Sequence, residues 1–174
     1  MRDSIARLAA LTRGWAAADF ERPYAPGKWT ARQVVIHLAQ TELALGVRAR
    51  MALATPNYTA QVFDQDTWLG RETRVSGADA VAALAGVSRM NVALFETLSP
   101  AERDTAMAHP EYGSITVDWI IYTIAGHQIH HLDQLALSRM VAAAPPSGAA
   151  AAPGWSRRDT AIFAVGAAIA AVIA

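Results

Sequence analysis

The segment from residue 117 to residue 138 constrains the fold most, because it places polar rings on the apolar side of a predicted helix. Its positions follow the alternating spacing of three and four residues that is typical of a helix in a bundle. These positions are Val117, Ile120, Ile124, His127, His131, Gln134 and Ser138. An imidazole buried there without a polar partner would destabilise the fold. The sequence therefore predicts a helical bundle whose interior supplies a partner for two histidines.

His127 and His131 are four residues apart, so on a helix both rings can point at one place. That arrangement is typical of a metal chelate. His130 lies one position off the seam and is interpreted as a flanking residue. Ordinary buried histidines with hydrogen-bond partners are the alternative, and a third ligand from another helix would weigh against it.

A third candidate ligand lies in the second predicted helix. Thr30 and Gln33 have the spacing of a capping box, in which each side chain binds a free amide of the first turn. About two turns further on, His37 falls within the apolar stripe of this helix. It is either a core histidine or the ligand that two histidines on one helix need from a neighbour.

The spacing of apolar residues in the rest of the chain predicts an all-α fold. The four main helices are predicted over residues 3–18, 30–53, 77–98 and 116–142. A short helical turn follows Ser99, and we expect no strand of any length. Residues 54–75 form a long connection between the second and third helices, which permits these two to run in parallel.

Composition excludes several classes of function. The chain has 174 residues, 15 basic and 15 acidic side chains and no Lys/Arg block, which argues against nucleic-acid binding. It has no cysteine, so a metal must be held by histidine or carboxylate. The first residues lack the continuous apolar run of a secretory signal, and we expect a cytoplasmic protein.

The C-terminal part differs from the rest. Residues 1–143 are predicted to form the bundle, residues 144–159 an Ala/Pro/Gly-rich linker, and residues 160–174 an apolar helix without charge. As a helix this tail would be about 22 Å long, shorter than the ~30 Å apolar core of a bilayer. It could anchor the chain to a membrane or pack on the bundle or on a partner subunit.

Taken together, these motifs resemble the DinB/YfiT-like superfamily over about residues 1–141. The resemblance is carried by Gly27-Lys28-Trp29-Thr30 with His37, residues 48–53 and 64–68, His109-Pro110-Glu111-Tyr112-Gly113, and residues 127–134. It implies a four-helix bundle of up-down-down-up type with a long crossover between helices 2 and 3. It also implies one divalent metal, zinc or nickel, held by His37, His127 and His131. Gln33 departs from the acidic residue that is common in the family, and the motif fixes no catalytic acid or base.

The resemblance implies a metal-dependent hydrolase, or an S-transferase that uses a low-molecular-weight thiol such as bacillithiol, mycothiol or glutathione. A small-molecule substrate is expected in either case, with any sulfur coming from the co-substrate. The alternative is a non-catalytic, metal-stabilised bundle that acts in interaction or dimerisation, as a homodimer or tethered to a membrane by residues 160–174.

Several polar residues near the predicted ligands could orient an imidazole N–H group. The candidates are His130, Asp133, Gln134, Gln40 and Glu42. His109, in a predicted loop, could approach the mouth of the site, although an ordinary loop histidine is the better interpretation.

Overall fold

The computed structural model describes residues 1–140, which form a bundle of four long helices. These are α1 (Arg2–Thr12), α3 (Ala31–Ala54), α5 (Gly77–Phe95) and α7 (Val117–Met140). Three short helices connect them: α2 (Ala17–Phe20), α4 (Gln65–Arg71) and α6 (Pro100–Arg103). Strands β1 (Ala106–His109) and β2 (Gly113–Thr116) pair antiparallel ahead of α7. The predicted linker and apolar tail lie outside the described residues.

The direction of each helix follows from two apolar clusters, one at each end of the bundle. The first contains Leu8 of α1, Leu38 of α3, Leu84 of α5 and Leu135 of α7. The second contains the later parts of α3 and α5 together with the first turns of α7. An ion pair between Arg2 and Glu96 joins the start of α1 to the end of α5. The topology is therefore up-down-down-up, as expected, with the long connection linking the parallel helices α3 and α5.

The start of α3 is fixed by the predicted capping box. The Gln33 amide N–H donates to Thr30 Oγ1 at 3.3 Å, and the Thr30 N–H donates to Gln33 Oε1 at 2.9 Å. The two bonds satisfy donors that the first turn would otherwise leave unpaired. This cap sets the position at which α3 begins and therefore where His37 lies, about two turns later.

A layer of buried polar side chains lies between the two apolar clusters, and we call it the central polar layer. It consists of Glu42 of α3, Ser88 and Asn91 of α5, and Gln128 of α7. The Asn91 amide donates to the Glu42 carbonyl at 3.0 Å, and the Gln128 amide donates to Ser88 Oγ at 3.4 Å. Within residues 1–140, neither carboxylate oxygen of Glu42 has a hydrogen-bond partner in good geometry. The layer therefore buries an acid in the middle of the bundle.

Two expectations about secondary structure were wrong in detail. The helix predicted over residues 3–18 ends at Thr12, because Gly14 adopts a left-handed backbone with φ of +76° that an α-helix cannot contain. The β1–β2 hairpin was not predicted. It packs Met107 and Ile115 into the second apolar cluster.

By length and composition alone, α5 could cross a membrane, within the part of the chain described. In the bundle it packs against α1 and α3, and its buried residues include Ala80, Leu84 and Phe95. Within the described residues, 28% of this apolar stretch is buried, so packing in the bundle covers a minority of it.

Candidate metal centre

Three histidine rings from two helices meet between α3 and α7. His37 Nε2 lies 2.9 Å from His127 Nε2, and His131 Nε2 lies 3.0 Å from the same atom. One nitrogen from each ring lies within 4.8 Å of the other two. His37 and His131 are buried, whereas His127 is partly exposed. The structure thus brings together the three residues singled out in the sequence.

The spacing on each helix explains why the rings converge. His127 and His131 are one turn apart on α7, and their ring centroids are 4.4 Å apart. The antiparallel neighbour α3 brings the His37 ring to 4.8 Å from His127 and 5.1 Å from His131. The pairing of α3 with α7 thus supplies the ligand that one helix alone cannot provide.

Both of the other rings approach one atom of the trio, His127 Nε2. An imidazole nitrogen carries either one proton or one lone pair in the ring plane. His127 Nε2 therefore offers both of the other ring nitrogens the same single proton or the same single lone pair. A single cation between the rings would accept the lone pairs of all three.

The distances fit such a cation. Two nitrogens bound to zinc at 2.0–2.1 Å and at the tetrahedral angle lie about 3.3 Å apart. The separations of 2.9 and 3.0 Å are a few tenths of an ångström shorter. The third separation, between His37 and His131, lies within the 4.8 Å that contains all three ligand atoms. Rotation of the rings is therefore needed to bring the three nitrogens to the spacing of ligands on one ion.

The protonation states of the three histidine rings also suit metal binding. Burial lowers the pKa of His37 to about 3, with a further contribution from His131. Burial lowers the pKa of His131 to about 4, although its hydrogen bond to Gln134 acts in the opposite direction. Burial and the neighbouring rings of His131 and His37 hold the pKa of His127 well below 6.5. All three rings are neutral at pH 7, which is the form that binds a metal.

Gln134 orients His131. Its Oε1 accepts a hydrogen bond from His131 Nδ1 at 2.7 Å, which leaves the lone pair on the Nε2 atom that faces the cluster. The Gln134 amide donates to His130 Nε2 at 3.2 Å. His130 therefore lies beside the cluster, and its ring centroid is 5.0 Å from that of His131.

The other residues that were candidates for orienting an imidazole lie away from the histidine cluster. Asp133 points to solvent and forms an ion pair with Arg7 of α1 at 3.5 Å. Glu42 belongs to the central polar layer, and Gln40 lines a cavity between α3 and α5. His109, at the end of β1, accepts a hydrogen bond at Nδ1 from the Glu111 N–H.

Trp29 is a neighbour of the site that sequence reasoning missed. Its ring centroid lies 5.0 Å from that of His37, at an interplanar angle of 57°. The residue directly precedes the capping box of α3, and that position was the available signal. Trp29 therefore packs against the His37 side of the cluster.

Comparison with known proteins identifies the fold and the family. Residues 1–135 match the sequence model of the DinB superfamily. The solved structure of YfiT from Bacillus subtilis, "a probable metal-dependent hydrolase with an unusual four-helix bundle topology", matches with a TM-score of 0.71 and 24% identity. The match covers 79% of this chain and 81% of that one. At this identity it shows the shared fold.

Two bacterial relatives carry the name "Putative metal-dependent hydrolase". One, from Oceanobacillus iheyensis, is 27% identical over 133 residues, which is 76% of this chain and 77% of the relative. Another, from Bacillus mycoides, is 28% identical over 125 residues, covering 71% of this chain and 72% of the relative. Both alignments extend over most of the bundle.

Proposed function

Because this chain belongs to the DinB superfamily, we propose that it is a metal-dependent hydrolase that holds one divalent ion through His37, His127 and His131. The observation that carries the proposal is the approach of His127 Nε2 to two other ring nitrogens at 2.9 and 3.0 Å. The names of the relatives from Oceanobacillus iheyensis and Bacillus mycoides support the same reaction class.

The family resemblance implies that the ion is zinc or nickel, although imidazole ligands also suit copper and iron. Neutral imidazoles suit both ions, and the chain has no thiolate to offer a softer metal. A divalent ion held by three neutral imidazoles supplies Lewis-acid chemistry at an open coordination position. This open position separates catalytic sites from structural sites, which are closed by four protein ligands.

The protein's own residues have distinct tasks in this proposal. Gln134 holds the His131 ring with its Nε2 lone pair toward the cluster. Trp29 packs against His37. We expect a small-molecule substrate to reach the cluster beside His127, the most exposed of the three residues. We expect the reaction to take place in the cytoplasm.

Thiol S-transfer is the second reaction that the family resemblance implies. It would use the same trio, with sulfur supplied by a low-molecular-weight thiol since the chain has no cysteine. The two reactions differ in their requirement for that co-substrate. An assay with and without glutathione therefore separates them.

The experiment compares zinc- and nickel-loaded wild type with His127→Ala and with a control, Tyr122→Ala, which replaces an exposed aromatic residue of the same helix. Substrates are p-nitrophenyl acetate for hydrolysis, and 1-chloro-2,4-dinitrobenzene with glutathione for S-transfer. We expect thiol-independent hydrolysis in wild type and in the control, and loss of both metal and turnover in His127→Ala.

Retention of turnover by metal-free His127→Ala would contradict the proposal. A wild type that binds metal, reacts with neither substrate and unfolds or changes its oligomeric state when the metal is removed would favour the non-catalytic alternative.

A further inference from the structure

Arg48 of α3 is a buried charged residue to which the proposed function gives no role. The residue is 8% exposed, and its Nη2 group donates a hydrogen bond to the main-chain carbonyl of Gln61. Within residues 1–140, Nε and Nη1 have no hydrogen-bond partner, and neither nitrogen is fully enclosed by protein atoms. The guanidinium therefore keeps N–H groups that a small bound group can reach.

The charge of Arg48 has no direct counter-ion in the part of the chain that the structure describes. Glu111 acts on it electrostatically but forms no ion pair with it. Burial lowers the pKa of Arg48 from 12.5, yet the group is charged at neutral pH, because a guanidinium is not deprotonated in proteins. A buried charge without an opposite partner is unfavourable, and an oxyanion in contact with its N–H groups would offset that penalty.

The side chains around Arg48 supply further hydrogen-bond donors. Tyr58 and Tyr112 lie within electrostatic range of the guanidinium, and a phenol hydroxyl can donate to an anion. Burial, and then Arg48, lower the pKa of His109, so this ring adds no competing charge at pH 7. The Tyr112 ring centroid lies 4.7 Å from that of His109 and 5.4 Å from that of Trp119. Because Tyr112 is 39% exposed, this group of residues reaches the protein surface.

This group is separate from the metal centre. Arg48 follows His37 by eleven residues, which places it about 20° around α3 and about 16 Å further along its axis. Guanidinium groups bind the oxygens of carboxylates and phosphates through charge-assisted hydrogen bonds. We propose that Arg48, Tyr58 and Tyr112 form a binding site for an oxyanion, the carboxylate or phosphate group of a small molecule. None of these residues is a metal ligand, so the site is additional to the proposed function.

Acetate, inorganic phosphate and acetamide test the proposal on the whole zinc-loaded chain. Acetamide has nearly the shape of acetate and no charge. The Nε–H resonance of Arg48, followed by NMR, reports binding at this site rather than at the metal. We expect acetate or phosphate to shift it in a saturable manner and acetamide to leave it unchanged. The anion that binds more tightly identifies the group that the ligand carries.

Arg48→Met removes the guanidinium and keeps an unbranched side chain, and the control, Arg89→Met, removes an exposed arginine of α5. Binding is followed in all variants at the ring resonances of Tyr112. We expect Arg48→Met to weaken anion binding about 10- to 100-fold, through the loss of charge-assisted hydrogen bonds, and Arg89→Met to leave it unchanged. Glu111→Gln removes a nearby negative charge and should strengthen anion binding by up to about fivefold.

Three results would overturn the inference. One is equal affinity of Arg48→Met and wild type for both anions. Another is an equal shift of the Arg48 resonance by acetamide, which would mean that the charge of the ligand plays no part. The third is an Arg48 resonance that neither anion shifts. This last measurement uses the wild type, so it decides the question even if Arg48→Met does not fold.

Discussion

Replacing Glu42 by glutamine should change how the stability of the protein depends on pH. Glu42 is 2% exposed, and burial raises its pKa from 4.5 to about 7, although Ser88, Gln128 and Asn91 partly oppose the shift. Folding therefore favours the protonated acid. The contribution of Glu42 to stability is complete below pH 4.5 and is lost as the pH rises through about 7.

The size of this change in stability follows from the pKa shift of Glu42. At 1.36 kcal/mol per pKa unit, a rise from 4.5 to about 7 corresponds to about 3 kcal/mol. Glutamine has nearly the same shape as the acid and carries no charge at any pH. The free energy of unfolding of Glu42→Gln relative to wild type should therefore increase by about 3 kcal/mol between pH 4.5 and pH 8.

Urea unfolding followed by far-UV circular dichroism measures this difference at each pH, with a chelator present throughout so that metal binding does not contribute. Taking the variant minus wild type cancels the titration of the histidines, which is common to both proteins. The control is Asp66→Asn, an exposed carboxylate in α4, whose effect should stay within about 0.5 kcal/mol. A difference between Glu42→Gln and wild type that does not vary with pH would refute the reasoning.

Three further predictions concern the metal centre and the helix packing. In the metal-free protein, His37 and His131 have folded pKa values of about 3 and 4, so below pH 6.5 only the unfolded chain takes up their protons. Each should therefore reduce the free energy of unfolding by about 2 kcal/mol at pH 5. Urea unfolding at pH 5 and pH 7 measures this loss, and a loss that stays the same when the two histidines are replaced would contradict the prediction. Gln134→Ala should weaken zinc binding about 10- to 100-fold in chelator competition, whereas Asp133→Ala should leave it unchanged; equal effects would argue against orientation by Gln134. Gly46→Ala would place a Cβ in steric conflict with the buried Asn91 amide and should destabilise by about 1–3 kcal/mol. Gly86→Ala meets nothing within 4 Å and should stabilise by up to about 1 kcal/mol; thermal or urea unfolding measures both.

The sequence predicted much of the site because its parts are local. The seam on α7 indicated which two of three neighbouring histidines face inward, and the structure places His127 and His131 together and His130 beside them. The capping box at Thr30 located the start of α3 and hence the position of His37. That these rings share one metal stays a proposal.

The hairpin was missed because its signal is too short. Each strand has four residues, and patterns of that length do not separate a strand from a loop. Its stability comes from tertiary contacts, in which Met107 and Ile115 complete the second apolar cluster. No local feature of the sequence reports those contacts.

Glu42 was interpreted as a candidate for orienting an imidazole, and the structure places it in the central polar layer. The reason is angular: five residues beyond His37 on a helix, a side chain points about 140° away from the histidine. The polar residues that surround Glu42 come from α5 and α7, far along the chain. Only the packing of the three helices brings them together.

The most direct test of the metal centre is a crystal structure of the zinc-loaded protein with anomalous data collected at the zinc edge. We expect one strong anomalous peak, at 2.0–2.1 Å from one nitrogen of each of His37, His127 and His131. A fully loaded crystal with its zinc elsewhere, or with the three rings still in mutual contact and no metal between them, would contradict the account.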